Sequence, residues 1–125
     1  MSLTTIILLV LALYMVQIFL QETSRFGFDL KGIVGNRDDP PELSVISGRL
    51  DRAKNNMQES LPIFLALALL ALIKGIDGEV SRAALLFLIA RFLYVPAYVS
   101  GIPLLRSLIW LTGVAALFMM ALPLI

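Results

Sequence analysis

Apolar segments of about twenty residues recur along this chain and leave little room for any fold outside a lipid bilayer. Of the 125 residues, 59% are hydrophobic and 15% are charged, whereas charged residues make up about a quarter of an average soluble domain. A helix needs about twenty apolar residues to cross the hydrocarbon core. The sequence therefore predicts an all-α integral membrane protein, a four-helix bundle forming one domain over residues 1–125. The predicted spans are about 3–21, 47–74, 81–100 and 103–123.

Residue usage excludes several kinds of chemistry. The chain has no cysteine and no histidine, so its own side chains supply no disulfide, no thiolate and no usual zinc site. A thiol used by this protein must come from a ligand, and no metal site is predicted. The formal net charge is +1, and no basic tail is present, so nucleic acid is not predicted as a partner.

Basic residues predict how the bundle lies in the membrane. The segment 3–20 follows no basic region and precedes no cleavage site, so we interpret it as a retained first helix. The connection after it, with the polar half of the second span, carries six basic residues, and the opposite loop carries only Lys74 and Arg82. The six are Arg25, Lys31, Arg37, Arg49, Arg52 and Lys54. Because basic loops stay in the cytoplasm, we predict a multi-pass protein whose long connection is cytoplasmic and whose two termini lie on the far side.

The second span is charged before it becomes apolar. Its apolar run, residues 61–73, is too short to cross the hydrocarbon core unaided, so the polar half must lie partly at membrane depth. At about 100° per residue, a narrow stripe of the helix carries Arg49, Arg52, Asn56 and Glu59. Polar groups at that depth are costly without a partner. The stripe therefore predicts a polar neighbour or a ligand.

The third span carries Arg91 near its middle, with Tyr94 and Tyr98 on the same side. One interpretation is that Glu59 and Arg91 form an ion pair that joins the second span to the third. Another is an anionic ligand, because arginines outnumber carboxylates at this end of the bundle. Tyr98 has an alternative interpretation as a residue of the membrane interface.

Two spaced motifs carry a resemblance to a known family. The first reads Arg52-Ala53-x-x-Asn56-x-x-Glu59-x-x-Pro62, and the second reads Arg91-x-x-Tyr94-x-x-x-Tyr98-x-x-Gly101-x-Pro103-x-x-Arg106-Ser107. Both resemble signatures of the MAPEG family, the membrane-associated proteins of eicosanoid and glutathione metabolism. The run of residues 35–38 before a proline pair is similar to short bacterial members, so the resemblance implies a location in a bacterial inner membrane. The resemblance covers essentially the whole chain.

The resemblance implies a homotrimer that binds glutathione, as a co-substrate, between neighbouring subunits near the cytoplasmic face. Arg106 matches an arginine that stabilises the thiolate, and Ser107 matches a serine of the prostaglandin E synthase branch, so both are predicted catalytic residues. Two departures are Ser60, where some relatives have tyrosine, and a Tyr98 to Arg106 spacing that is one residue shorter. The predicted glutathione-binding residues are Arg37, Arg49, Arg52, Asn56, Glu59, Arg91, Tyr94 and Tyr98.

These observations lead to the hypothesis of a glutathione-dependent membrane enzyme, of transferase or peroxidase type. Glutathione has two carboxylates and one ammonium, which suit several arginines and one glutamate, and its partner would be a hydrophobic electrophile or a lipid hydroperoxide. The alternative is a non-catalytic membrane binding or structural protein with the same fold. A four-span drug exporter also fits the length, but such carriers need an acid in the first span, and residues 3–20 contain none.

Overall fold

A computed structural model describes residues 1–27, 30–35 and 42–125, and most of these residues lie in helices. The helices are α1 (Leu3–Arg25), α2 (Leu30–Val34), α3 (Val45–Lys74), α4 (Asp77–Ser100) and α5 (Pro103–Ala121), followed by a 3₁₀ turn, Leu122–Leu124. Four of the helices in this part of the chain are long and apolar enough to cross a membrane. The prediction of an all-α, four-helix membrane bundle is confirmed.

Local chemistry fixes the helix ends. Ser2 and Ser44 lie before α1 and α3, and each accepts a hydrogen bond from a backbone N–H three residues later, at 3.2 and 3.1 Å, which satisfies a donor that the first turn leaves free. At the other end of α3, Gly75 adopts the left-handed conformation with φ +72°, as a helix C-cap often requires. Pro103 opens α5, where its missing N–H breaks no helical bond.

Two of the membrane-spanning helices, α1 and α4, extend clearly further than the sequence indicated. The first continues to Arg25, past the predicted end at residue 21, and the hydroxyl of Thr23 donates back to the carbonyl of Phe19 at 2.7 Å. The turn after α3 is shorter than predicted, because α4 already begins at Asp77, and this residue and Glu79 lie in its first turn. Acidic side chains are stabilising there. The short α2 lies in a segment that we interpreted as a polar connection.

Small side chains allow the helices to pack closely in the apolar half of the bundle. Alanines are fully buried on both α3 and α4, including Ala68 and Ala84, and small residues are the usual means of close helix packing in lipid. Phe64 and Phe87 stack between these helices, with ring centroids 4.7 Å apart. This packing holds α3 and α4 in a fixed relation, on which the placement of their polar residues depends.

The opposite half of the bundle, which we call the polar end, is where α1 and α4 finish and α3 and α5 begin. A polar seam joins α1 to α3 there. Gln21 is 1% exposed and accepts a hydrogen bond from Lys54 Nζ at 3.4 Å, and the hydroxyl of Ser24 donates to Ser47 Oγ at 3.2 Å. These contacts fix the rotation of α3, and therefore the direction in which its other polar face points.

Candidate functional site

A cleft of about 430 Å³ lies at the polar end, between α3, α4 and α5. We call it the arginine cleft. Seven of the ten predicted site residues line it, together with two residues that the sequence did not single out. The lining residues are Arg52, Asn55, Asn56, Glu59, Tyr94, Tyr98, Arg106, Ser107 and Trp110.

Helical spacing explains why these side chains meet. On α3, Arg52, Asn56 and Glu59 are separated by four and three residues, and on α4 the two tyrosines are four apart. Residues at those intervals lie on one side of a helix. Because Pro103 starts α5 directly after the short turn at Gly101, Arg106 falls in its first turn and faces the same cleft.

Tyr98 contacts arginines from two different helices. Its hydroxyl accepts a hydrogen bond from Arg52 Nε at 3.1 Å, and the Cζ atom of Arg106 lies 4.8 Å from its ring centroid. A guanidinium over an aromatic face is stabilised by the ring electrons. Tyr94 packs edge-on against Tyr98, with centroids 5.6 Å apart. Tyr98 therefore orders the two cations of the cleft.

Arg91 lies behind the cleft wall and does not line the cleft. Its side chain is 3% exposed. Its Nη1 donates to Asn56 Oδ1 at 2.8 Å, and its Cζ lies 4.4 Å from the Tyr94 ring centroid. Its Nε and Nη2 are buried and find no hydrogen-bond partner in the described parts of the chain. Arg91 thus supports Asn56 and Tyr94 from the inside.

The predicted ion pair between Glu59 and Arg91 is wrong. Within residues 1–27, 30–35 and 42–125, no ion pair joins the two side chains; the guanidinium bonds to the neutral amide of Asn56 instead. The reason is depth, because Arg91 is buried between helices while Glu59 is exposed in the cleft. The carboxylate of Glu59 is therefore available to a ligand.

Two other predicted binding residues are not brought to the cleft. Arg49 crosses to the end of α4, where its Nη1 donates to the carbonyl of Val99 at 2.8 Å, and it is not a lining residue. Arg37 lies outside the residues that the structure describes. Among the residues that the structure describes, the charged groups that line the cleft are therefore two guanidiniums, from Arg52 and Arg106, and one carboxylate, from Glu59.

Sequence reasoning missed Asn55 and Trp110. Asn55 follows Arg52 by three residues, and Trp110 follows Arg106 by four. Each spacing places the residue on the same side of its helix as a predicted site arginine. The periodicity that identified the arginines was therefore sufficient to find both neighbours.

A second cavity, of about 390 Å³, adjoins the cleft and lies between α3 and α5. We call it the apolar groove. It shares Asn56, Glu59 and Trp110 with the arginine cleft. The rest of its lining is almost wholly apolar and comprises Ser60, Ile63, Leu67, Val114, Leu117, Phe118 and Ala121.

The arrangement defines a class of membrane protein. It is an α-helical multi-pass bundle whose polar end holds a cationic cleft, and whose membrane half holds a connected apolar groove. No group of three or more carboxylate, imidazole or thiol side chains that could hold a metal ion occurs among the described residues.

Comparison with protein families identifies that class more closely. The MAPEG family model matches residues 1–125, and the chain belongs to this family. Comparison with curated proteins and with solved structures gave no match. The family includes glutathione transferases and peroxidases, and its members generally use glutathione.

Proposed function

We propose that this protein is a glutathione-dependent membrane enzyme, a transferase or a peroxidase. The observation that carries the proposal is that the two cavities adjoin, with Asn56, Glu59 and Trp110 in the lining of both. A cleft with two guanidiniums and one carboxylate opens into a groove lined by apolar side chains. A charged peptide thiol fits the first cavity and a hydrophobic reaction partner fits the second.

The charged groups of the cleft complement those of glutathione. Arg52 and Arg106 offer guanidiniums to its two carboxylates, and Glu59 offers a carboxylate to its ammonium. The amide of Asn56 is already held by the buried Arg91 at 2.8 Å, so it is oriented before a ligand arrives. Preorganised groups lose less freedom on binding and so give higher affinity.

The cleft also favours the reactive form of the thiol. The thiolate is the nucleophile, and a nearby guanidinium lowers a thiol pKa by stabilising the negative charge. We assign this role to Arg106, whose guanidinium is held over the Tyr98 ring. The cleft is open, so the released proton passes to water, and no protein base is needed. Ser107 lines the cleft one residue further on and offers a hydroxyl donor near the same place.

The apolar groove supplies the second substrate from the bilayer. In a transferase reaction, the thiolate forms a carbon–sulfur bond as the leaving group departs with the bonding electron pair. In a peroxidase reaction, two glutathione molecules are oxidised to the disulfide while a hydroperoxide is reduced to the alcohol and water. Both reactions need a hydrophobic molecule beside the sulfur, which is where the groove meets the cleft.

We also infer that the protein is a homotrimer in a bacterial inner membrane with its polar end in the cytoplasm. Arg49, Arg52, Lys54 and Arg106 all lie at the polar end, which agrees with the preference of basic residues for the cytoplasmic side. A cytoplasmic cleft has access to the cellular glutathione pool. Subunit counting by mass spectrometry in detergent tests the trimer.

The central experiment is glutathione titration and conjugation by the purified protein, with a panel of hydrophobic electrophiles and hydroperoxides. We expect binding and turnover, and a loss of turnover of about 10²-fold or more in Arg106→Ala, because a group that stabilises developing charge has that order of effect. Arg82→Ala, an exposed arginine on α4 remote from the cleft, is the matched control. A fully active Arg106→Ala would remove Arg106 from the mechanism. Bound glutathione that is never consumed would support the non-catalytic alternative.

A further inference from the structure

The boundary between the arginine cleft and the apolar groove is formed by three side chains, Asn56, Glu59 and Trp110. Asn56 is bound to Arg91, and Glu59 is the carboxylate of the cleft. Trp110 is the large apolar member of the three, and 41% of its surface is exposed. The indole of Trp110 is therefore the apolar surface that a molecule meets as it passes from one cavity to the other.

Both helices change from polar to apolar at this boundary. On α5, Arg106 and Ser107 precede Trp110, and the next groove residues along the helix are Val114 and Leu117. Their separations of four and seven residues from Trp110 keep them on one side of the helix. On α3, the polar Ser60 is followed by Ile63, one turn further along. The lining residues of α3 and α5 therefore change from polar to apolar at the same level of the bundle.

We infer that Trp110 is a specificity-determining residue, one that seats the carbon group bonded to the sulfur of glutathione. This inference rests on the proposed function. If Arg52, Arg106 and Glu59 hold the charged ends of the peptide, an apolar substituent on its sulfur reaches the groove past Trp110. The flat indole offers a large apolar area to the first carbons of that substituent. The bulk of the indole also limits how wide the first carbons of the substituent can be.

The geometry also sets a length for the substituent. From Trp110 to Ala121, the groove follows α5 over eleven residue-to-residue steps, or about 16 Å at 1.5 Å per residue. An extended alkyl chain advances about 1.25 Å per carbon, given a C–C bond near 1.5 Å and an angle near 111°. The groove therefore holds an unbranched chain of about a dozen carbons, and longer chains gain nothing further.

S-alkyl glutathiones test the inference without requiring turnover, because they carry the peptide and the substituent in one stable molecule. Glutathione and its S-methyl, S-butyl and S-octyl derivatives are titrated into the full-length protein at one fixed detergent concentration. The variants are Trp110→Phe, Trp110→Ala and Phe92→Ala. Phe92 is an exposed aromatic residue of α4 that lines neither cavity, so it controls for the loss of a ring.

For the wild type we expect affinity to rise with chain length, by up to about fourfold per buried methylene. In Trp110→Ala the gain in affinity from S-methyl- to S-butylglutathione should be about tenfold smaller than in the wild type, which is the usual effect of losing one contact in an apolar pocket. Trp110→Phe should keep most of this gain. Phe92→Ala should match the wild type. Unmodified glutathione should bind Phe92→Ala as it binds the wild type, since its charged partners are unchanged, and Trp110→Ala should weaken the S-butyl derivative more than it weakens glutathione itself.

Fluorescence gives a second measurement that does not depend on the alanine variant folding. Trp110 is the sole tryptophan of the chain, so the emission of the wild type reports directly on the boundary. We expect S-octylglutathione to shift the emission to shorter wavelength, and glutathione alone to shift it less.

The outcomes separate this inference from the proposed function. A wild type that does not bind glutathione overturns both. A wild type that binds glutathione but gains nothing from an alkyl group overturns the inference and leaves the function standing. The inference is also overturned if Trp110→Ala keeps the full gain in affinity from the alkyl group, or if S-octylglutathione leaves the tryptophan emission unchanged. In either case the substituent binds elsewhere.

Discussion

Replacing Gly101 with alanine tests the contact by which α3 fixes the turn between α4 and α5. Gly101 has φ +77°, and Arg49 reaches this turn to bond the carbonyl of Val99 at 2.8 Å. A Cβ atom on Gly101 would lie 2.8 Å from Arg49 Nη2 and 2.9 Å from Nη1. Tyr98 precedes this turn and Arg106 follows it, so the contact also sets the relation between two cleft residues.

The expected loss has two parts. An alanine in the left-handed region lowers the free energy of unfolding by roughly 1–2 kcal/mol. Gly75→Ala measures this part alone, because Gly75 has φ +72° and an added Cβ there would meet nothing within 4 Å. At Gly101 the guanidinium must also move, and moving forfeits a hydrogen bond from a charged donor that is worth about 1.5–3 kcal/mol. We therefore expect Gly101→Ala to lower the free energy of unfolding by about 2.5–5 kcal/mol, against about 1–2 kcal/mol for Gly75→Ala.

The assay is reversible unfolding in mixed micelles by a denaturing detergent, measured for Gly101→Ala, Arg49→Ala, the double variant and Gly75→Ala. In the Arg49→Ala background the obstructing atoms are gone, so Gly101→Ala should cost no more than Gly75→Ala. The coupling energy of the double-mutant cycle should then be at least 1 kcal/mol in magnitude. Equal losses for Gly101→Ala with and without Arg49 would refute the reasoning.

Three further substitutions test contacts around the cleft. Asn56→Ala should destabilise the protein by about 2–3 kcal/mol in the same unfolding assay, because it removes the partner of the buried Arg91; a loss below 0.5 kcal/mol would mean that the guanidinium finds another partner. Tyr98→Phe should weaken glutathione binding about five- to tenfold by calorimetry, because Arg52 loses the hydroxyl that orders it, and unchanged affinity would contradict that role. Gln17→Leu should leave stability unchanged or raise it by about 1 kcal/mol, because it removes a buried Oε1 that has no partner among the described residues, so a loss above 2 kcal/mol would be contrary evidence.

The parts of the fold that follow from local chemistry could be predicted from the sequence. The left-handed cap at Gly75 and the start of α5 at Pro103 depend on one residue each, and the spans follow from apolar length. The continuation of α1 to Arg25 was not predictable in the same way. Beyond the apolar run, a helix persists when polar groups bond back to its carbonyls, as Thr23 does, and composition does not reveal that bond.

The site was predictable to the level of helix faces but not of depth. Periodicity places Arg49, Arg52 and Arg91 toward one side of the bundle, yet the structure gives each a different environment. Arg52 lines the cleft, Arg91 is buried behind it, and Arg49 bonds the end of α4. How closely each arginine approaches the axis of the neighbouring helix decides which of these three environments it occupies. That distance depends on packing partners such as Gly113, whose added Cβ would lie 3.8 Å from Arg91 Cδ.

The neutral contact between Arg91 and Asn56 has a consequence for binding. An ion pair with Arg91 would consume the carboxylate of Glu59 and leave the cleft with no partner for an ammonium group. Because Asn56 takes the contact instead, the carboxylate of Glu59 stays available at the cleft surface. The cleft thus presents two cations and one anion, opposite in sign to the two carboxylates and one ammonium of glutathione. Exchanging Asn56 for aspartate would give Arg91 an anionic partner, and glutathione affinity should fall because the added negative charge offsets the positive charge of Arg91 behind the cleft, which favours the carboxylates of the ligand.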